Sequence, residues 1–424
     1  MRYTLLAFLC IITVSAYVQR TAMNGATKTI EAELGLGPDD MGLVMGAWYL
    51  AYAALQLPGG WVADRLGSKP ALIILATLWS LLTGLVGLAT GFVGLVFLWG
   101  LMGGVQAGIF PCCTKAIGST FPRAEQAFAS GMLACFMGLG AALAPKITSM
   151  LLGTLTWQQI FALYAIPGLV WAVVFSFAVP RPDAPAPIIT KPEEEPDAWH
   201  ALPQPASHTR GAVQWSKLVT NGQMLLLCFQ QFLRTGAMVL FFTWFARFLQ
   251  ETRGVSPQAA GSLASWPPFA GAFGGFCGGL LSDWLLRRTG NSRLARQGVT
   301  FTAMVICAVV ALAAYFIEDT QIAVLLISVG AFCGMGGGVN AYALAIAYGG
   351  KQVATVFAAM NMSGNLGAAL FPVVVGWLGK TGHWSLVLLL FVSMFAVSAV
   401  CWAVLNPKGT LFGETEAIEE KEPE

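Results

Sequence analysis

Residues 60–69 read Gly-Trp-Val-Ala-Asp-Arg-Leu-Gly-Ser-Lys, a short stretch in which one acid is followed by two bases. It separates two apolar segments, 41–63 and 70–90. Each segment is long enough to cross the hydrocarbon core of a bilayer, which takes a helix of about 20 residues. A charged turn this short between two such segments predicts a helical hairpin in a membrane.

The composition of the whole chain also indicates that lipid is its solvent. Of the 424 residues, 56% are hydrophobic and only 10% are charged, whereas a soluble domain has about 25% charged residues. The net charge of +2 gives no signal for nucleic acid. The nine cysteines are scattered through apolar segments and are interpreted as core residues. We therefore expect no metal, no cofactor and no nucleic-acid partner.

Hydropathy predicts twelve spanning segments, six on each side of a polar stretch. They are 4–26, 41–63, 70–90, 92–116, 126–151, 158–179, 219–247, 257–281, 297–316, 322–347, 353–378 and 384–405. The predicted fold is an all-α membrane protein of twelve transmembrane helices in two pseudo-symmetric six-helix bundles. The predicted divisions are an N-terminal half (1–180), a disordered cytoplasmic linker (181–217), a C-terminal half (218–405) and an acidic cytoplasmic tail (406–424).

Two internal repeats support the division into halves. LGAALAP at 139–145 matches LGAALFP at 366–372, and a tryptophan follows each proline by twelve residues, at Trp157 and Trp384. GGWVAD at 59–64 matches GGLLSD at 278–283. Parallel repeats of six helices are typical of transporters that bind their solute between two halves near the middle of the membrane.

The basic residues predict the orientation. Most of the 23 Lys and Arg residues lie on one side of the predicted spans, which places both termini and the linker in the cytoplasm of a plasma (inner) membrane. Lys115, near the inner end of span four, is interpreted as an anchor of this kind. A cleaved signal peptide at the first span is the alternative, and it would break the symmetry.

The 60–69 loop resembles the cytoplasmic signature of the major facilitator superfamily. Within that superfamily the chain is similar to the anion:cation symporter family, which includes galactonate and hexuronate permeases and the sialic-acid and vesicular glutamate transporters. The residues that carry this second resemblance are YVQRTAMN at 17–24, YAALQLPGGW at 52–61, 103–111, 243–245, NMSGN at 361–365 and Pro372. The resemblance implies a transporter, not an enzyme.

The signature itself is interpreted as a cytoplasmic gate. An aspartate at a helix end can pair with an arginine and with the N-terminus of a neighbouring helix when the inside is closed. The gate residues in this chain are Asp64, Arg65, Gly67 and Lys69, with Asp283 in the second copy. A simple positive-inside anchor is the alternative reading.

Two arginines within predicted spans are the main candidates for binding solute. Arg20 lies in span one and Arg234 in span seven, which are equivalent helices expected to face each other across the cavity. A guanidinium inside a membrane is costly and offers a planar fork of donors to a carboxylate or phosphate. Arginines at these positions contact the substrate anion in the resembling family. The alternatives are snorkelling for Arg20 and a tie to backbone carbonyls for Arg234.

Neutral polar side chains are predicted to complete the substrate site. They are Asn24, Tyr52, Gln56, Asn361 and Asn365. Amides and aromatic rings are suited to reading the hydroxyls of a sugar acid. Hydrogen bonding between helices is the alternative for the two asparagines of span eleven.

The positions of two missing acids bear on coupling. Proton-coupled members of the family carry acids where this chain has Gln19 and Gln106, and several relatives carry an arginine where it has Trp99. Without an embedded carboxylate, proton symport is in doubt, and exchange or uniport is favoured. H⁺ and Na⁺ both remain candidate coupling ions.

The sequence thus predicts a monomeric carrier of a small organic anion, a sugar acid or another carboxylate, that works by alternating access. A porter for a neutral or organophosphate solute is the runner-up. A membrane enzyme is disfavoured because no embedded acid–histidine cluster or nucleophile–base pair occurs. A receptor is disfavoured because neither linker nor tail can fold an output domain.

Overall fold

A computed structural model of the chain describes residues 2–179, 215–239, 245–380, 383–407 and 411, apart from some side chains within these ranges. The described residues form sixteen α-helices. Their bounds are α1 Arg2–Leu34, α2 Pro38–Leu66, α3 Ser68–Val86, α4 Phe92–Gln106, α5 Ile109–Thr120, α6 Gln126–Leu151, α7 Trp157–Ala178, α8 Trp215–Thr220, α9 Gly222–Val239, α10 Phe245–Arg253, α11 Pro257–Ala264, α12 Trp266–Thr289, α13 Val299–Phe316, α14 Thr320–Gly349, α15 Val353–Lys380 and α16 Trp384–Val404.

These helices trace six passes in each half, which confirms the predicted twelve-helix fold. Eight segments of the described chain are long and apolar enough to span a membrane by length and composition alone, and one of them, 320–371, joins α14 to α15. Most of the predicted linker (181–217), from 181 to 214, and most of the tail lie outside the described residues.

The fourth pass is broken where the sequence predicts one continuous span. Helix α4 ends at Gln106 and α5 begins at Ile109. Pro111 has no N–H to donate to the carbonyl of Ala107, four residues earlier, so the helix loses a hydrogen bond there. The Gln56 side chain of α2 donates to that carbonyl at 3.5 Å. The break is therefore satisfied by a neighbouring helix, as a membrane interior requires.

Each half has its own hydrophobic core. One cluster of buried apolar side chains comes almost wholly from residues before 180, and the other almost wholly from residues after 214. The sequence repeats fall on equivalent passes. The LGAAL segments lie on α6 and α15, and the GG-x-x-x-D segments lie on α2 and α12.

The halves meet chiefly through α2 against α15 and α6 against α12. Glycines allow these helices to approach closely: a Cβ on Gly60 would lie 2.6 Å from the carbonyl oxygen of Ala354, and one on Gly131 would lie 2.5 Å from that of Gly275. In the described chain, the hydrogen bonds between halves run from the 60–69 end of the bundle to its middle. The bundle is therefore closed at that end, called here the motif end.

At the opposite end each half carries the same tie. The Trp157 indole N–H donates to Glu33 at the end of α1 at 2.8 Å, and the Trp384 indole N–H donates to Glu251 of α10 at 2.7 Å. Each bond joins the first pass of a half to its last pass. The tie accounts for the repeated tryptophan in the sequence.

Replacing Trp157 with Phe is expected to destabilise the protein, because the bond to a carboxylate contributes about 1.5–3 kcal/mol and the carboxylate is left without that donor. The measurement is the midpoint of thermal unfolding in detergent. Trp384→Phe should lower it by a comparable amount. Among the described residues, the exposed Trp215 makes no such tie and serves as control. An equal loss in Trp215→Phe would contradict the assignment.

Candidate functional site

Arg20 lies inside a cage of aromatic rings. Its guanidinium carbon is 4.1 Å from the ring centre of Trp48, 5.0 Å from that of Tyr49, 5.3 Å from that of Tyr17 and 5.5 Å from that of Tyr52. Cations stack favourably on such ring faces. The Tyr52 ring in turn stacks on Trp48 with their centres 4.7 Å apart. The cage holds the charge in place without using an acid.

A cavity of about 220 Å³ opens beside this cage. Its lining residues come from α1, α2 and α4 and are Arg20, Thr21, Met45, Trp48, Tyr49 and Trp99. Trp99 is 2% exposed and packs edge-on against Phe161. The sequence did not single out Tyr49, although it lies next to Trp48 on the same helix.

Arg234 is held by its own half. It is 7% exposed, and its Nη2 donates to Gln231 one turn earlier at 3.1 Å. Its guanidinium packs on Gly338 of α14, where an added Cβ would lie 2.5 Å from Nη1. Its buried Nε has no hydrogen-bond partner. The glycine leaves the room that the guanidinium occupies.

Two tyrosines lie near the arginines. The Tyr17 hydroxyl of α1 accepts from Arg20 at 3.4 Å, and Tyr342 of α14 lies within electrostatic range of Tyr17 and of Arg234. Tyr342 is fixed by an edge-on contact with Phe357, with ring centres 4.9 Å apart. The sequence missed Tyr342, because nothing marks it within an apolar span.

Three of the predicted neutral groups form a hydrogen-bond chain between the halves. Asn361 of α15 donates to Gln56 of α2 at 3.0 Å, and its carbonyl accepts from Asn365 at 2.9 Å. Asn361 also interacts with the hydroxyl of Tyr52. Gln56 is fully buried. The structure thus joins these residues to each other in the closed motif end, while the side chain of Asn24 lies outside the described residues.

The two glutamines at the positions where acids were expected donate hydrogen bonds to backbone carbonyls of neighbouring helices. Gln19 is 1% exposed and donates to the carbonyl of Tyr164 in α7 at 2.6 Å. Gln106 is 3% exposed and donates to the carbonyl of Ala16 in α1 at 3.3 Å. Both amides therefore tie helices within the first half. Within the described ranges, no group of three His, Cys, Asp or Glu side chains is placed to hold a metal.

Asp64 sits at the centre of the closed motif end. Its carboxylate accepts from the backbone N–H groups of Ala354 and Thr355, at 3.2 and 2.8 Å, and from the Thr355 hydroxyl at 2.7 Å. These groups begin α15, so the acid binds a helix N-terminus of the other half. The cation beside Asp64 is not an arginine but Lys115, at 3.3 Å. Lys115 is buried, so its interpretation as an interfacial anchor is wrong.

The other residues of the signature have separate structural tasks. Gly67 joins α2 to α3 with φ of 89°, a conformation that favours glycine. Lys69 donates to the carbonyl of Ser176 near the end of α7 at 2.7 Å, where a cation suits the helix dipole. Arg65 stacks on Trp61 with 4.2 Å between the guanidinium carbon and the ring centre. Asp64 is thus the member of the motif that reaches the other half.

The second copy builds a matching latch. Asp283 of α12 accepts from the N–H of Phe128, near the start of α6, at 2.6 Å and pairs with Arg296 at 2.6 Å. Arg296 also donates to the carbonyl of Arg123 in the other half. The sequence did not single out Arg296, because Asp283 lies within α12 and Arg296 lies in a separate helical segment, Arg293–Gly298.

Four cations within the bundle fall into two kinds. Lys115 and Arg296 pair with the latch acids, whereas the buried Arg234 and the half-buried Arg20 have no carboxylate partner in the described chain. Two six-pass halves that close at one end over unpaired central cations define a membrane carrier, not an enzyme.

The comparisons with known proteins identify the family. The family model of the Major Facilitator Superfamily matches residues 9–348, so the chain belongs to that superfamily and is a multi-pass membrane transporter. It is 30% identical to the probable sulfoacetate transporter SauU of Cupriavidus necator, over 96% of this chain and 94% of the relative.

Two further matches extend this likeness. The probable galactarate/D-glucarate transporter GudP of Escherichia coli is 28% identical, over 94% of this chain and 92% of the relative. The crystal structure of the E. coli fucose:proton symporter FucP (N162A) superposes with a TM-score of 0.71 at 16% identity, over 95% of this chain and 98% of that one. The structural match confirms the fold.

Proposed function

We propose that this protein carries a small organic anion across the plasma membrane by alternating access, with the acid group bound by Arg20 and Arg234. Both termini lie in the cytoplasm in this proposal, and the motif end is the cytoplasmic end. The named relatives support the substrate class, since sulfoacetate, galactarate and glucarate are organic anions.

The observation that carries the proposal is the contrast among four cations within the bundle. The two that close the motif end are neutralised by Asp64 and Asp283. The two in the middle have no acid beside them in the described chain, and a cation without a counter-charge is expensive inside a membrane. A bound anion supplies the missing charge.

The same charges favour exchange or uniport over proton symport. Gln19 and Gln106 use their amides in helix packing and have no proton to release. In the part of the chain that the structure describes, the acids with buried side chains in the bundle are Asp64 and Asp283, and both bind helix N-termini at the latches. We infer that bound anion, and not a proton, stabilises the site while the carrier reorients.

Counterflow in proteoliposomes tests the proposal. Sulfoacetate, succinate and D-glucarate are first ranked by the thermal shift they give to purified protein, with glucose as the neutral control. Proteoliposomes loaded with the best anion should then accumulate the labelled anion. The rate of accumulation should be the same in sodium and potassium salts, and it should not change with pH when the pH is equal inside and outside. Uptake driven by a pH gradient alone would refute exchange, and a shift with glucose alone would refute the anion class.

A further inference from the structure

The cavity beside Arg20 is small, and its wall is largely aromatic. At about 220 Å³ it lies below the range of about 300–1,000 Å³ that is usual for ligand sites. Beyond Arg20 its wall consists of two indoles, one phenol, a thioether and one threonine. Its hydroxyl-bearing residues are Tyr49 and Thr21, and the Thr21 proton is already donated to the carbonyl of Tyr17 at 2.7 Å.

The amides that would read hydroxyl groups do not line this cavity. Gln19 and Gln106 bond to the backbone of neighbouring helices, and Gln56 is bonded to Asn361. A hydroxyl brought against the aromatic wall would lose its hydrogen bonds to water without replacement, which is costly. The wall therefore penalises each hydroxyl on the body of a solute.

Two indole groups provide a second, independent observation. Trp48 and Trp99 are at most 2% exposed, and the Nε1 of each lacks a hydrogen-bond partner. Because both nitrogens are enclosed within the protein, the two indoles present ring carbons, not their N–H groups, to the cavity. A hydroxyl brought against these rings finds no hydrogen-bond partner on them.

Resting on the anion-carrier function proposed above, we infer that this cavity selects compact organic anions with few or no hydroxyl groups over polyhydroxylated sugar acids. Trp48 and Trp99 are the specificity-determining residues. Carboxylates or sulfonates with a short aliphatic or aromatic body are the class that fits.

Matched pairs of dicarboxylates test the inference, because they differ in hydroxyls alone. Succinate is compared with tartrate, and adipate with galactarate, by the concentration that gives half-maximal thermal stabilisation of the purified full-length protein. The hydroxyl-free member of each pair should act at a concentration at least about tenfold lower, since an unpaired hydroxyl in an apolar pocket costs up to about 100-fold.

Three variants locate the preference. Trp99→Asn, which opens space and adds an amide, should reduce the ratio within each pair to near one, whereas Trp99→Phe, which keeps the aromatic wall, should leave the ratio nearly unchanged. Trp79→Phe is the matched control, because Trp79 is a buried tryptophan of α3 with an unpartnered Nε1 and does not line the cavity. An equal change in Trp79→Phe would refute the assignment.

The outcomes separate this inference from the function on which it rests. If galactarate stabilised the protein at the same concentration as adipate, and Arg20→Gln abolished that stabilisation, the inference would be overturned. The proposed anion-carrier function would then still hold. If none of the four acids stabilised the protein and a neutral solute did, both this inference and the anion-carrier function would be overturned.

Discussion

Replacing Arg20 with Gln is expected to abolish anion transport while the protein still folds. Removing one partner of a buried charge pair costs about 2–5 kcal/mol, which lowers affinity by at least about 30-fold. Folding should survive, because Arg20 is held by ring stacking and its bond to Tyr17 is long, at 3.4 Å. The measurement is counterflow uptake by equal amounts of variant in proteoliposomes.

Two further variants give this result its meaning. Arg20→Lys keeps the charge but loses the planar fork and much of the stacking, so it should retain partial activity. Arg293→Gln removes an exposed arginine at the motif end and should transport normally. If Arg20→Gln transported the anion at the normal rate, the central cations would have no role in binding and a neutral solute would become the better candidate.

Arg234→Gln should also lower transport, and it adds a test of where the substrate binds. Arg234 donates to Gln231 and rests on Gly338, so its loss also leaves a small void within the second half. The double variant of both arginines should be no worse than the more severe single variant if one anion bridges them. Independent, additive losses would instead indicate two separate sites.

The fold was accessible from sequence because its determinants are local. Hydropathy defines each pass by itself. The repeats show which passes of the two halves are equivalent, and they do so without any knowledge of contacts. Breaks within passes were less accessible, since the end of α4 depends both on Pro111 and on a side chain of α2 that meets the freed carbonyl.

The site was only partly accessible, because it depends on which face each helix presents. Neighbours in sequence point about 100° apart on a helix, so Arg20 and Gln19 serve different surfaces: the first lines the cavity and the second bonds to α7. Hydropathy placed Lys115 near the end of its span, and only the packing of α5 on α2 shows it beside Asp64, 51 residues earlier. The aromatic cage likewise requires α1 and α2 side by side.

The latch at Asp64 should control the balance between the two states of the carrier. In Asp64→Asn the buried ammonium of Lys115 loses its counter-charge and α15 loses an anion at its N-terminus. Breaking a buried pair from one side costs about 3–5 kcal/mol, enough to shift an equilibrium by at least about 100-fold. The closed motif end should open. Spin labels at the motif end of each half, in a cysteine-free background, should report a longer distance between halves.

Two companion variants distinguish loss of the latch from general damage. Lys115→Met added to Asp64→Asn removes the stranded charge and should recover part of the stability but not the closure, because the N-terminus of α15 still lacks its anion. Gly60→Ala leaves every charge in place, yet its Cβ would meet the carbonyl of Ala354, so it should open the same end by steric means. Since each half keeps its own core, Gly60→Ala should unfold near the normal temperature. An unchanged distance in both Asp64→Asn and Gly60→Ala would show that α6 and α12 hold the motif end closed by themselves.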